Sequence, residues 1–429
     1  MTSDTPSSPV ASPAERPDVI VVGAGVIGVA CAHYLAASGL RVTVIDQGTI
    51  GGACSGGNCG YICPSHVLPL TEPGAVGVAL RSLFNPSAPF RVKPRLDPAL
   101  WNWMWQFARR CTHRQVLEVG VHLKAILDAS LAEYRRLVVE EPLDCQWRDT
   151  GLLYVLRSRH GMDAFAKTDE LLTEHFGVPA VRIEGDALPA FDPSLRADLA
   201  GGYHYPGDAS LRPDQLMRAW SGRLLARGVR FVEQCRLDVI ARANGRVTGL
   251  ETTLGTLTAD RYVFALGGWS PRIAGQLGCP IPIEQGKGYS VTMRRPDPCP
   301  RYPMLFPEHR IGVSPFDDGY RLGSMMEFAG YDTSIPARRI EQLRESAKPY
   351  LVAPCGPGPE ESWYGWRPMT WDSLPIIGAV PDVANAYLAT GHNMLGMSLA
   401  TATGRLVAEL MSGGSPHLDP APYSPRRFR

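Results

Sequence analysis

Val19-Ile20-Val21-Val22-Gly23-Ala24-Gly25-Val26-Ile27-Gly28 is the stretch that decides the fold. Its four leading apolar residues form the short continuous run of a strand buried on both faces. Three glycines follow at G-x-G-x-x-G spacing. Gly23 permits a tight turn, Gly25 lets a pyrophosphate approach the backbone, and Gly28 lets the next helix pack closely on the strand. Val29 to Ser38 reads as that helix, stopped by Gly39. Arg41 to Asp46 is the second strand, so the unit is βαβ. The helix start offers free N–H groups and a partial positive charge to a phosphate, through Gly23, Ala24, Gly25, Val26, Ile27 and Gly28. Asp46, followed by Gln47, stands where a carboxylate accepts ribose hydroxyls. A strand before, a helix after and an acid at this distance predict dinucleotide binding.

The rest of the composition narrows the class. A chain of 429 residues supports more than one domain's core. Lys+Arg 43 against Asp+Glu 42 leaves +1, without the basic face a nucleic-acid partner requires. No run approaches the roughly 18 consecutive apolar residues of a membrane span. Residues 1–17 are rich in Ser, Pro, Thr and Ala and lack the basic start and apolar core of a signal peptide, so they read as a disordered tail. Ten cysteines without a CxxC suit a reducing, cytoplasmic setting. Cys54, Cys59 and Cys63 echo an iron–sulfur loop only loosely, with no fourth ligand, and are expected to pack in a glycine-rich loop without metal.

Further along, Leu100 to Arg110, Val116 to Glu141, Met162 to Phe176, Pro213 to Arg227 and Arg338 to Tyr350 carry helical patterns. Gly151 to Arg157, a hairpin series from Val229, Tyr262 to Ala265, the span Ile281 to Leu322 and Ala386 to Thr390 read as strands. Pro86 to Pro98 is a Pro-rich crossing loop. Strand–glycine–helix elements at both ends and in the middle, with insertions between them, predict a two-domain α/β fold. The expected Rossmann-type dinucleotide domain takes 18–95, 196–275 and 360–429. A mixed antiparallel sheet with helices, formed by 96–195 and 276–359, is expected to bind substrate. Trp101, Trp103 and Trp105 beside Arg109 and Arg110 suit either helix packing, the commoner case, or an interfacial anchor.

Only one dinucleotide fingerprint is present. A flavoenzyme fed by a nicotinamide would ordinarily show a second, so one bound dinucleotide must also be the reaction centre, which favours FAD reduced directly by an organic substrate. Ala53-Cys54-Ser55-Gly56-Gly57 nearly matches a nucleophile elbow, but Ala53 replaces its first glycine.

These residues carry a family resemblance. The chain resembles the D-amino-acid oxidase superfamily of FAD proteins, which includes glycine and sarcosine oxidases, and within it bacterial D-amino-acid dehydrogenases. The likeness runs from Asp18 through Ser55-Gly56-Gly57-Asn58-Cys59-Gly60, Tyr205-Pro206-Gly207-Asp208, Ala265-Leu266-Gly267-Gly268-Trp269-Ser270 and Lys287-Gly288-Tyr289-Ser290. It ends on its most specific parts, Gly365-Trp366-Arg367-Pro368-Met369-Thr370 and Thr390-Gly391-His392-Asn393 to Gly396. The resemblance implies a glycine-oxidase-like fold in which Ser55, Asn58, Cys59 and Gly60 line the flavin side. It places Leu237 by the adenine, and Ala265, Gly267, Gly268 and Trp269 against the dinucleotide. Gly391, His392, Asn393, Met394, Leu395, Gly396 and Met397 would present backbone N–H groups to the flavin. Arg367 would hold the substrate carboxylate, a role its planar fork also suits on physical grounds.

The implied activity is oxidative deamination of small amino acids, most simply D-amino acids. Hydride passes from the α-carbon to flavin N5, giving an imino acid and then a 2-oxo acid and ammonia. D-proline or D-hydroxyproline dehydrogenation and glycine or sarcosine oxidation stay open as alternatives. His392 and Tyr289 are candidates for hydrogen bonding or proton relay. A quinone, dye, electron-transfer partner or oxygen would take the electrons, and a quinone would imply peripheral membrane contact. No attachment cysteine lies around Gly365, so FAD is expected to be non-covalent. Two departures stand out: Asn393 replaces a family glycine, and the loop Tyr61-Ile62-Cys63-Pro64-Ser65-His66 is unlike the dehydrogenase pattern.

Overall fold

The computed structural model describes residues 17–77, 88 and 90–429. Tail residues 1–16 and most of 78–89, including the start of the Pro-rich stretch, lie outside the described residues.

Val19–Val22 is the central strand of a six-stranded sheet and is fully buried. It pairs in parallel with Val42–Ile45 on one side and Arg261–Phe264 on the other. Ala386–Thr390 extends the parallel set next to Arg261–Phe264, and Ile376–Ala379 closes that edge antiparallel. Arg230–Val232 closes the opposite edge. The helix Val26–Ala37 starts three residues earlier than its periodicity suggests, directly at the glycine turn. Helices on one face bury the sheet with Gly396–Ser412, and Gly404 allows close approach: a Cβ there would lie 2.5 Å from the Ala30 backbone.

The second layer is a nine-stranded mixed sheet. From one edge it runs Glu361–Thr370, Ile283–Met293, Tyr320–Phe328, Ile311–Pro315 and Met304–Phe306, each antiparallel to the next. Phe90–Val92, Gly201–Tyr205 and Glu361–Thr370 pair into this sheet, although the sequence reading grouped their segments with the dinucleotide sheet. Backbone pairing is indifferent to side-chain identity, so the apolar pattern of a strand does not name its partner. The helix His113–Glu140, expected with the substrate half, instead packs its stripe of Val119, Leu123, Ile126 and Leu127 into the dinucleotide core. Tyr134 there donates to the Met397 carbonyl at 2.8 Å.

Candidate active site

A single cavity of about 1410 Å³ is lined from both sheets. Every residue expected to act in catalysis or to bind the cofactor lines it except Ala24, Gly28 and Gly391. That volume exceeds the roughly 300–1,000 Å³ of ordinary small-ligand pockets and suits an extended dinucleotide together with a substrate.

The dinucleotide end follows from local geometry. Gly23 has φ +111°, and a Cβ there would sit 2.4 Å from the Ala265 carbonyl oxygen. A Cβ on Gly28 would fall 1.8 Å from the Gly23 carbonyl oxygen, so the helix rests on bare backbone. No side chain caps the helix at Gly25, while Ser55 Oγ accepts the Val26 N–H at 2.8 Å. Asp46 accepts the N–H groups of Ala24 and Gly48, each at 2.7 Å. A carboxylate has lone pairs beyond these two bonds for ribose hydroxyls. A helix start with only its Val26 N–H taken by a side chain, a backbone cradle that any Cβ would fill and a fixed carboxylate fit the pyrophosphate and ribose of FAD.

The loop from Cys54 to Gly60 crosses the cavity onto the nine-stranded sheet, and glycines make its floor. A Cβ on Gly312 or Gly323 would meet Cys59 Sγ at 3.1 and 2.7 Å, and one on Gly57 or Gly365 would enter the Trp363 ring. The thiols of Cys54, Cys59 and Cys63 are free, and burial raises all three, Cys54 up to about 12. Cys54 donates to the Trp366 carbonyl at 2.7 Å. Among the described residues no His, Cys, Asp and Glu cluster could hold a metal ion.

Arg367 projects over Gly288, and a β-bulge receives it. Lys287 pairs with Glu327 but Tyr289 with Ser324, so the facing strand carries one extra residue. Met325 takes φ +68° within that bulge and turns its carbonyl to Arg367 Nη1 at 2.6 Å. Bulges re-aim groups in this way beside functional sites. No carboxylate pairs with Arg367 among the described residues; burial lowers its pKa, with only Cys54 and Cys59 opposing. A half-buried guanidinium with spare donors on the cavity wall suits an anion.

The C-terminal turn departs partly from expectation. The Asn393 N–H donates to the Pro368 carbonyl and that of Leu395 to the His392 carbonyl, so these two are not offered to a cofactor. Asn393 has φ +53°, a left-handed conformation that asparagine tolerates better than most residues, which explains its standing where the family has glycine. Its side chain accepts the Thr370 N–H at 2.9 Å and locks the turn to the Arg367 strand. The helix Gly396–Ser412 begins there without a side-chain cap. His392 Nε2 pairs with Thr403 Oγ1 at 3.0 Å, and burial lowers its pKa to about 3, so it is neutral. The Tyr289 hydroxyl donates to Glu327 at 2.8 Å, and burial raises its pKa.

The unfamiliar loop is tied down. Tyr61 donates to the Met304 and Val313 carbonyls, and Ser65 donates from N and Oγ to Asp208. His66 pairs with Tyr154 at 3.1 Å, and both line the cavity. Of the aromatic trio, Trp103 is buried, donating to the Met369 and Pro282 carbonyls, while Trp101 and Trp105 are exposed and Arg109 stacks on Trp105. The sequence did not single out Arg310 and Glu72, which line the cavity, or Arg321, which binds the Gly56 and Asn58 carbonyls of the loop across it. A charged residue inside an otherwise buried strand, as Arg321 is, was the available signal.

Parallel sheet, glycine turn and an arginine without a carboxylate partner among the described residues meet in one cavity, the arrangement of a dinucleotide-dependent oxidoreductase. The chain belongs to the FAD dependent oxidoreductase (DAO) family, whose profile matches residues 18–410. It is an FAD-dependent enzyme. It is 32% identical over 408 residues to a D-amino acid dehydrogenase of Agrobacterium fabrum, covering 94% of this chain and 97% of that protein. It is 33% identical over 421 residues to one of Cereibacter sphaeroides, covering 96% and 95%. Glycine oxidase from Geobacillus kaustophilus shares the fold at TM-score 0.75 and 23% identity, covering 95% of this chain and 98% of that one. L-proline dehydrogenase from P. horikoshii does so at 0.71 and 20%, covering 96% and 98%. Among the described residues no helix is long and apolar enough to cross a membrane.

Proposed function

We propose that this chain is a D-amino acid dehydrogenase that oxidises the C–N bond of small D-amino acids. One observation carries the reading: Arg367 lies in the dinucleotide cavity, half-buried and without a carboxylate partner among the described residues. Two parallel N–H···O bonds from its fork would fix the substrate carboxylate and so orient the α-C–H. Met325 holds the guanidinium from behind through Nη1, which limits its swing. Bound FAD supplies the two-electron acceptor for the hydride that leaves the α-carbon. His392, neutral and engaged with Thr403, holds the C-terminal turn rather than carrying a proton. Tyr289, tied to Glu327, supports the strand beneath Arg367. The amine must therefore arrive or become neutral without a dedicated base on these two residues, and water hydrolyses the released imino acid. The non-covalent state of FAD, the acceptor and any peripheral membrane contact through the Trp101 helix belong to this proposal.

The test is anaerobic mixing of purified holoenzyme with D- and L-amino acids, prolines, glycine and sarcosine. Bleaching by D-amino acids, with faster turnover on a quinone or dye than on oxygen, supports the reading. Preference for prolines or for glycine and sarcosine would replace the substrate assignment. No bleaching by any of them would refute it.

A further inference from the structure

Arg321 takes no part in the chemistry derived above. It is 3% exposed, on the strand Tyr320–Phe328 of the nine-stranded sheet, beneath the loop from Cys54 to Gly60. Its Nε donates to Thr292 Oγ1 at 2.8 Å, and Nη1 donates to the carbonyls of Gly56 at 3.1 Å and Asn58 at 2.7 Å. The nearest carboxylate, Asp214, stands 3.9 Å away and is already paired with Arg212. Two neighbours complete a pattern: Ser290 donates to the Gly57 carbonyl and Ser314 to the Cys59 carbonyl, both at 2.7 Å. All the carbonyls from Gly56 to Cys59 are thus captured by the sheet.

A trans peptide points its N–H opposite to its C=O. The N–H groups of Gly57, Asn58, Cys59 and Gly60 therefore turn away from the sheet. Gly60 gives its N–H to Asn58 Oδ1 at 2.8 Å. Those of Gly57, Asn58 and Cys59 meet no acceptor among the described residues, and all three residues line the cavity. The guanidinium sits on the two peptide units whose far ends are the N–H groups of Gly57 and Cys59. A cation on a carbonyl polarises its amide and strengthens the N–H as a donor.

We propose that Arg321 is a positioning residue that raises the reduction potential of the bound flavin, acting through the Gly56–Gly57 and Asn58–Cys59 peptides. Reduction makes the flavin more electron-rich. Fixed N–H dipoles and a buried, weakly compensated positive charge favour that state without reorganising. The inference rests on FAD binding and not on the identity of the amino acid.

The experiment is an anaerobic reductive titration of the full-length holoenzyme against a reference dye, read from the flavin spectrum. Arg321→Met is expected to shift the flavin–dye equilibrium at least tenfold toward oxidised flavin, about 30 mV for a two-electron couple. Arg321→Lys, which keeps the charge, should recover most of the shift. Asp214→Asn, which removes the compensating carboxylate, should move the equilibrium the other way. A flavin–dye equilibrium constant for Arg321→Met within twofold of wild type, or Arg321→Lys falling as far as Arg321→Met, overturns the proposal. If Arg321→Met purifies without FAD, Asp214→Asn decides alone: an unchanged or lowered potential overturns it, and a raised one supports it. The titration uses no amino acid, so failure of the substrate assignment leaves it readable.

Discussion

Replacing Gly288 by alanine adds one methyl group directly beneath the Arg367 guanidinium. The new Cβ would lie 2.4 Å from Nη1, 2.5 Å from Nη2 and 2.6 Å from Cζ, whereas ordinary contact starts at 3.4 Å. The guanidinium must retreat by at least about 1 Å, breaking its 2.6 Å bond to the Met325 carbonyl. It can do so, because it is the free end of a flexible side chain. Gly288 is not in the left-handed region, so the strand accepts alanine, which by propensity alone stabilises it by about 0.5–1 kcal/mol. Misplacing a substrate-positioning group by about 1 Å can cost about 10²-fold in rate. The expected outcome is therefore a drop of about 10²-fold in kcat/KM for D-amino acids, with wild-type FAD content and a melting temperature no lower than wild type. Steady-state dye reduction, flavin absorbance and thermal unfolding measure the three quantities. Wild-type kcat/KM in a variant that keeps its FAD would refute Arg367 as the anchor.

Arg367→Ala should cost about 10²-fold or more in kcat/KM for free amino acids, since charged hydrogen bonds contribute about 1.5–3 kcal/mol each. Amino-acid amides, which lack the carboxylate, should respond much less, and an equal loss for both would point to a structural role. Gly23→Ala forces a Cβ into the Ala265 carbonyl at positive φ and should yield protein without FAD, read as loss of visible absorbance. His33 accepts from Trp220 Nε1 at 3.2 Å, and burial lowers its pKa to about 4. Unfolded histidine titrates near about 6.5, so the unfolded chain binds the proton first. Stability from His33 is present above about pH 6.5 and is lost as pH falls through about 4. His33→Asn should therefore lose less melting temperature than wild type between pH 6.5 and 4; parallel curves would contradict this.

The βαβ unit was legible because its determinants are local. Strand, turn, helix and acid lie within one short stretch, and Gly28 and Asp46 touch backbone inside that stretch, at Gly23, Ala24 and Gly48, while Gly23 meets the distant Ala265. The Arg367 segment was legible through resemblance, and the structure adds that its guanidinium has no carboxylate partner among the described residues. The turn at His392 was half legible: its place in the cavity held, but Asn393 and Leu395 spend their N–H groups inside the protein.

By itself, the sequence determined the dinucleotide turn, the helices and strands with clear periodicity, and the residue types able to bind phosphate, ribose and carboxylate. Those properties reside in single residues and short spacings. Only the tertiary structure decided which strands share a sheet, where the bulge at Met325 falls and what the scattered glycines face. Gly288, Gly312, Gly323 and Gly365 sit on separate strands, yet together they receive Arg367, Cys59 and Trp363. Arg321 acquires its place in the same way, from carbonyls more than 260 residues distant in the chain. The reason is steric: what a bare backbone or a buried charge is for depends on the atoms opposite, and folding alone brings those atoms there.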